Sequence, residues 1–190
     1  MNAVIENSDN TLPPLTAEQA EDRRWMAYAM QLAQRAAELG EVPVGAVLVH
    51  QGQVIGEGWN QPISSHDPTA HAEMLALRNA AQAIENYRLI DSTLYITIEP
   101  CTMCAGAIVH ARVARVVFGA TEPKAGAATS NGQVFDQPWM NHQVAYEGGV
   151  LAEACSAQIS AFFKQRRAQK KALKQQQRTE AEQARQQQQS

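Results

Sequence analysis

His71-Ala72-Glu73 and, about thirty residues later, Pro100-Cys101-Thr102-Met103-Cys104 constrain this chain more than any other feature. One imidazole, one carboxylate and two thiols in two short strings gain meaning only if the fold brings the strings together. Zinc takes thiolate and imidazole donors in a tetrahedron. His71, Cys101 and Cys104 supply three donors and leave the fourth position open, the pattern of a catalytic site rather than a closed structural one. Cys101 and Cys104 are three apart, so on a helix both thiolates face one way. Pro100 suits the start of such a helix. The helix N-terminus also favours two thiolates electrostatically.

His71 and Glu73 are two apart; they diverge in mid-helix and reach one cavity only near a helix end. Asp67-Pro68-Thr69 supplies that end, with Asp67 or Thr69 as N-cap and Pro68 in the first turn. Both half-sites are therefore expected at helix N-termini, facing each other. Two thiolates already neutralise the zinc charge, which leaves a bound water less acidified than on an all-imidazole zinc. A carboxylate that takes its proton and returns it to the substrate closes the gap, and Glu73 is read in that role. A lone C-x-x-C is as often a redox pair or half of a structural zinc site. H-x-E followed by P-C-x-x-C is the signature of zinc nucleobase deaminases.

At 190 residues the chain is most simply one domain with tails. The expected boundaries are a disordered stretch over 1–16, a folded domain over 17–167, and a basic, then Gln-rich, partly disordered tail over 168–190. The net charge of −3 is unevenly spread: eight basic against two acidic residues give 164–190 a charge of +6, and the rest carries −9. Such asymmetry suits a tail that meets an anionic partner, or a solvated helix end. The third cysteine, Cys155, lies in an apolar helical stretch and reads as a buried, inert thiol. Three cysteines, no signal-peptide pattern and no apolar run of membrane-spanning length read as a soluble cytoplasmic protein.

In chain order, Thr16 caps a first helix, with Gln19 completing a capping box, and Gly40 ends it. Val42 to His50 reads as a buried strand, Gln51-Gly52 as a hairpin turn, and Val54 to Trp59 as the return strand. Asn60, just past it, is either turn chemistry or a substrate contact. A helix is expected from His71 to about Tyr87, a strand over Thr93–Ile98, and a short helix from Cys101 to near Arg112. A strand over Val113–Gly119 then makes a βαβ unit with parallel strands. The second ligand pair thus sits at the C-terminal end of a strand, where open α/β sheets place sites. Glu99 either supports that pair or is a plain strand-end charge. The small-residue loop from Ala120 to Gly132 is a lid, a substrate loop or a connector. A last strand is expected over Gln143–Tyr146, and a last helix from near Val150, losing order from about Thr179. The stretch Phe162 to Arg167 either stacks bases and neutralises phosphates, or completes the core with solvated charges around it.

From about Trp25 to Arg167 the chain resembles the bacterial tRNA-specific adenosine deaminase family. The resemblance is carried by Glu41-Val42-Pro43-Val44-Gly45-Ala46-Val47, Asn60, His66-Asp67-Pro68-Thr69-Ala70-His71-Ala72-Glu73 and Asn86-Tyr87-Arg88-Leu89. It continues through Glu99-Pro100-Cys101-Thr102-Met103-Cys104-Ala105-Gly106-Ala107, Val116-Val117-Phe118-Gly119-Ala120 and Met140-Asn141-His142. The zinc motifs alone fit the wider cytidine deaminase-like superfamily; the longer strings and the Phe-Phe-basic ending point to the tRNA enzymes. The resemblance implies a three-layer α/β/α fold with a mixed five-stranded, cytidine deaminase-like sheet, a homodimer, and one zinc per subunit. It implies hydrolytic deamination of adenosine to inosine at the wobble position of the arginine tRNA with anticodon ACG. By match, His71, Cys101 and Cys104 bind zinc, Glu73 shuttles protons and Asn60 holds the flipped-out adenine. Lys124 and Phe162, Phe163, Arg166 and Arg167 contact the anticodon stem-loop. The family often carries Asp where Glu122 stands, near the substrate ribose, so the carboxylate here is one methylene longer. The Gln-rich tail lies beyond the family pattern. The rival readings are a free-base guanine or cytosine deaminase and a non-catalytic, zinc-folded RNA-binding module.

Overall fold

A computed structural model describes residues 14–187. The expectation of disorder over 1–16 falls mostly on residues outside that range. Helix α1 (Ala17–Glu38) opens with the expected capping box: Thr16 Oγ1 accepts from the Gln19 N–H, and the Gln19 side chain accepts from the Thr16 N–H. Strands β1 (Gly45–His50) and β2 (Gln53–Trp59) form the hairpin around Gln51-Gly52. After a single-turn helix, α2 (Pro62–Ser65), come α3 (Ala72–Ala83), β3 (Ser92–Ile98), α4 (Thr102–His110) and β4 (Arg115–Ala120). A 3-10 turn over Val134–Asp136, strand β5 (Ala145–Gly148) and α5 (Ala152–Gln187) complete the described chain.

The five strands lie in the order β2-β1-β3-β4-β5. β1 runs antiparallel to both β2 and β3, while β3, β4 and β5 are parallel, so the sheet is mixed and the βαβ unit has the expected sense. The strand period of two sorts the core into two layers. Ala46, Leu48, Leu94, Ile96, Val116 and Phe118 face α3 and α4. Val47, Val49, Tyr95 and Val117, one residue out of phase, face α1 and Cys155 of α5. The result is a three-layer α/β/α arrangement around a mixed five-stranded sheet, as the resemblance implied.

Two devices fix the layers. On the α1 side, Asp22 is buried and takes a two-pronged ion pair from Arg115 at the start of β4, both contacts at 2.7 Å, with the Tyr95 hydroxyl at 3.0 Å. On the other side, Gly58 lets α3 lie directly on β2: a Cβ there would stand 2.1 Å from the Ala72 carbonyl oxygen. That closeness places the first turn of α3 over the end of β2 and brings Asn60 within reach of it.

Several boundaries differ from the sequence expectation for one shared reason. Helix α3 stops at Ala83 rather than Tyr87, because Glu85 adopts a left-handed conformation (φ 53°) and the Asn86 N–H returns to the Ala81 carbonyl. This is a Schellman ending without glycine. Arg112 ends α4 the same way, with φ 63° and Val113 N–H bonded to Ile108 O, so β4 starts two residues later than expected. Gly40 does the same for α1, as its sequence signal indicated. The last strand is Ala145–Gly148 rather than Gln143–Tyr146. Helix α5 is described to Gln187. No described helix is long and apolar enough to cross a membrane.

Candidate metal centre

His71 and Cys101 are the N-cap residues of α3 and α4, and neither side chain caps its own helix. Each turns instead toward the other. The Cys101 and Cys104 sulfurs stand 3.7 and 3.6 Å from His71 Nδ1. The three ligand atoms all lie within 4.8 Å of one another. Zinc–sulfur bonds of about 2.3 Å and zinc–nitrogen bonds of about 2.0 Å at the tetrahedral angle separate S and N by about 3.5 Å. The donor set and its spacing therefore fit a tetrahedral zinc with one position left over.

The local sequence explains this placement. Because α3 starts at Ala72, Glu73 sits at its second position and His71 just outside it, and the two side chains converge as a helix end permits. The expected N-caps are corrected by one turn. Asp67 instead closes a turn over Thr69, accepting from both the Thr69 N–H at 2.8 Å and its hydroxyl at 2.7 Å. The N-terminal N–H of α3 is taken by Asn60, whose Oδ1 accepts from the Ala72 N–H at 3.0 Å. So Asn60 is buried and fixes the helix start beside the site.

Charge in the cluster is shared. The Cys104 thiol, with the His71 imidazole behind it, brings Cys101 down to about 4 against the cost of burial. The same contact with Cys101, joined by burial and by the Glu73 charge, pushes the Cys104 thiol up. The Cys101 sulfur also raises His71. Burial pushes the Glu73 carboxyl up, and its residue is only 3% exposed. A carboxylate this dry, beside the three candidate ligand atoms but not one of them, has a raised affinity for a proton.

Glu99 is not a plain strand-end charge. It is buried, and its carboxylate gathers the loop after β4. Oε1 accepts from the N–H groups of Ala128, Thr129 and Ser130 at 3.1, 2.7 and 2.9 Å, and Oε2 from the N–H of Glu122 at 3.0 Å and from the Ser130 hydroxyl. Against the cost of burial these donors lower it to about 2. The gathered loop passes beside the ligands: Gly126 bridges Cys101, and the Ala127 N–H bonds Pro100 O. It carries Glu122, half-buried, with Oε1 accepting from the Lys124 N–H at 2.9 Å, and Lys124, exposed.

The remaining residues lie elsewhere. Phe162 is buried and packs edge-on against Phe163, which is 42% exposed. Arg166 and Arg167 are exposed, and Phe162 and Arg166 border Gly40 at the end of α1. Among the described residues no hydrogen bond or ion pair joins this group to the metal ligands. Glu41 was not singled out from sequence. It is 1% exposed, and its Oε1 accepts from the Ser64 N–H at 2.7 Å, anchoring α2 in the segment that leads to His71. An acid after a helix-ending glycine carries no sequence signal for that role. Cys155 is buried, and burial raises its thiol to about 11, as expected of an inert cysteine.

The cytidine and deoxycytidylate deaminase zinc-binding region matches residues 19–120. Over 151 residues the chain is 57% identical to the tRNA-specific adenosine deaminase of Haemophilus influenzae, covering 79% of this chain and 87% of that protein. It is 44% identical over 154 residues to the tRNA-specific adenosine deaminase of Bacillus subtilis, covering 81% and 96%. A solved structure from work on A-to-I editing by tRNA:A34 deaminases at the wobble position superposes with a TM-score of 0.68 at 45% identity, covering 72% of this chain and 98% of that one. The zinc-compatible donor triad, the dry carboxylate beside it and these likenesses agree: the chain belongs to the tRNA-specific adenosine deaminase family.

Proposed function

We propose that this protein deaminates adenosine to inosine hydrolytically at the wobble position of the arginine tRNA with anticodon ACG. The observation that carries the reading is Glu73, a buried carboxylate set next to a three-donor zinc site that it does not complete. A structural zinc site has no use for it. Zinc held by His71, Cys101 and Cys104 supplies Lewis acidity and lowers the pKa of water.

Glu73 does the proton work. It accepts a proton from the attacking water and delivers it to N1 of adenine as the C6–O bond forms. It then takes the remaining proton from the oxygen now on C6 and passes it to the amine; the C6–N bond breaks as the C6 carbonyl forms, and ammonia leaves, giving inosine. The raised proton affinity of Glu73 suits it to take the proton from water. Asn60 spends its Oδ1 on α3, which orients its amide nitrogen side for the flipped-out base. Glu122 and Lys124, on the loop that Glu99 gathers, serve the ribose and the anticodon backbone. Phe162 seats α5, while Phe163, Arg166 and Arg167 present an aromatic face and two cations to the anticodon loop.

A homodimer fits the same reading. Between α3 and α4 runs an apolar groove lined by Met74, Leu77, Ala81, Tyr87 and Leu89, with Tyr87 and nearby Ile84 and Ile90 exposed. A second copy covering it would bury the backs of both half-site helices. Sedimentation checks it: a monomer at micromolar concentration rejects the dimer.

The deciding assay compares inosine formation on an ACG-anticodon tRNA with the same RNA lacking the first anticodon adenosine. Product from the first alone supports chemistry and position together. No product with zinc bound favours a free-base deaminase, to be tested on guanine and cytosine. Glu73→Ala, assayed beside its zinc content, isolates the carboxylate. We expect full zinc and turnover lower by about 10²-fold or more; near-normal turnover with full zinc would remove Glu73 from the mechanism.

A further inference from the structure

The second half of α5 is unlike the rest of the molecule. From Phe163 to Ala181 every residue is exposed, and the helix leaves the body as a free arm. Lys164, Arg167, Lys171, Lys174 and Arg178 recur at alternating steps of three and four. At 3.6 residues per turn they fall within an arc of about 80° and run about 21 Å along the axis. That arc lies roughly opposite the flank that carries buried Cys155 and Phe162. Lys170 adjoins it, and Arg166 lies nearer the Phe162 flank. Among the described residues none of these seven cations has a salt-bridge partner, and the ion pairs lie elsewhere, in two clusters: Arg78 with Asp67, and Arg115 with Glu18, Asp22 and Glu147.

The stripe works against its own helix. Arg166 and Lys170, Arg167 and Lys171, Lys170 and Lys174, and Lys174 and Arg178 are like charges at i and i+4, which destabilise an isolated helix. A row of anions along the stripe would relieve this repulsion. The rest of the chain is acidic, so the arm concentrates positive charge on one surface of an otherwise negative protein. Beyond Phe163 the arm has no aromatic residue, so it cannot stack bases. Its one exposed large apolar residue there is Leu173, too little for a helix to lie in a lipid interface. What remains is a straight line of cations suited to phosphates at regular intervals.

We propose that residues 170–178 of α5 form a stem-binding arm that follows the sugar-phosphate backbone of double-stranded RNA next to the deaminated loop, without reading sequence. This rests on the tRNA reading above and extends it past the anticodon loop. The arm contributes affinity and salt dependence, and leaves the chemical step alone.

The test uses the full chain and the variant Lys170→Gln/Lys171→Gln/Lys174→Gln/Arg178→Gln. Glutamine keeps the helix propensity and removes the charge, and circular dichroism verifies the helix. Binding is measured by fluorescence anisotropy from 50 to 200 mM salt on three RNAs: the anticodon stem-loop, its loop sequence as a single strand, and the same stem closed by an unrelated loop. On both stem-containing RNAs we expect the variant to bind more weakly and its log–log salt slope to be shallower by about 3. The affinity gap between the proteins then narrows by about 60-fold across that salt range. On the single strand the two proteins bind alike. Equal slopes on all three RNAs would overturn the arm, as would an equal loss on the single strand. So would a charge-dependent binding to phosphatidylserine vesicles with no difference on RNA. The unrelated-loop hairpin keeps the outcomes separable: absence of inosine on any tRNA defeats the wobble reading, while the arm stands or falls on the stem.

Discussion

The first turn of α3 and the outer half of α5 are both helix, for different physical reasons. The α3 turn is held from every side. Asn60 takes its first N–H, Gly58 lets it lie on β2, and Ala72 and Glu73 are buried. Residues 170–178 of α5 are all exposed and belong to neither core cluster: Ala, Gln, Lys and Arg favour helix there by propensity, against their own like-charge pairs. Reactive groups stand on the first kind of helix, where position is set to a fraction of an ångström by packing. Long-range charge stands on the second, where position matters little and reach matters more.

Four experiments break or sharpen this contrast. The largest effect belongs to the metal. Cys104→Ser should cost zinc occupancy and lower turnover by more than about 10³-fold, the several kcal/mol that a Lewis acid supplies. Zinc content by atomic emission and turnover on the tRNA substrate measure both. Retained activity without zinc would undo the assignment of the site.

Next comes Gly58→Ala, which touches no ligand. Its Cβ would meet the Ala72 carbonyl at 2.1 Å, and backbone cannot swing aside as a side chain does. We expect a loss of about 2–3 kcal/mol in denaturant unfolding. With Glu73 displaced, kcat should fall by about 10–100-fold. An unchanged kcat would mean that the α3 turn is less tightly set than its packing implies.

A smaller, pH-dependent effect comes from Asp22. Burial opposes its charge, but the Arg115 guanidinium and the Tyr95 hydroxyl hold its carboxyl below the ordinary value of 3.8. A carboxyl depressed in the folded state contributes stability that is complete above its unfolded pKa. That contribution is lost as pH falls through the folded one. Stability should therefore drop below about pH 4 in the native protein, and Asp22→Asn should flatten that part of the curve. Urea midpoints from pH 6 to pH 3 show the difference.

The smallest effect is the sharpest for the contrast. Ending the chain after Ala168 should change unfolding free energy by no more than about 0.5 kcal/mol, since residues 169–181 are all exposed. The helical signal should fall by the missing turns alone. A large loss of stability would show that the arm is part of the body after all.

The zinc donors were legible because metal chemistry restricts both residue type and spacing, and a C-x-x-C after proline leaves few alternatives. The capping box at Thr16, the hairpin at Gln51-Gly52 and the Gly40 stop were legible because each depends on neighbours in sequence. The ends of α3 and α4 were not. Glu85 and Arg112 take a left-handed conformation that their residue types do not announce, and tertiary packing enforces it. The split between Phe162 and Phe163 was likewise beyond periodicity, because two adjacent aromatics on a helix flank part only when a neighbour covers one of them.

By itself the sequence determined the donor set, the carboxylate beside it, the alternation that builds two core layers, and the charge of the tail. These are properties of residue type and short-range spacing. Only the tertiary structure decided that His71 and Cys101 are caps that turn away from their own helices. It also decided that Asn60 and Glu41 anchor the approach to the site, and that Glu99 gathers the loop carrying Glu122 and Lys124. Those roles depend on which backbone N–H groups arrive beside a buried oxygen, and chain segments far apart in sequence meet there only once the sheet has formed.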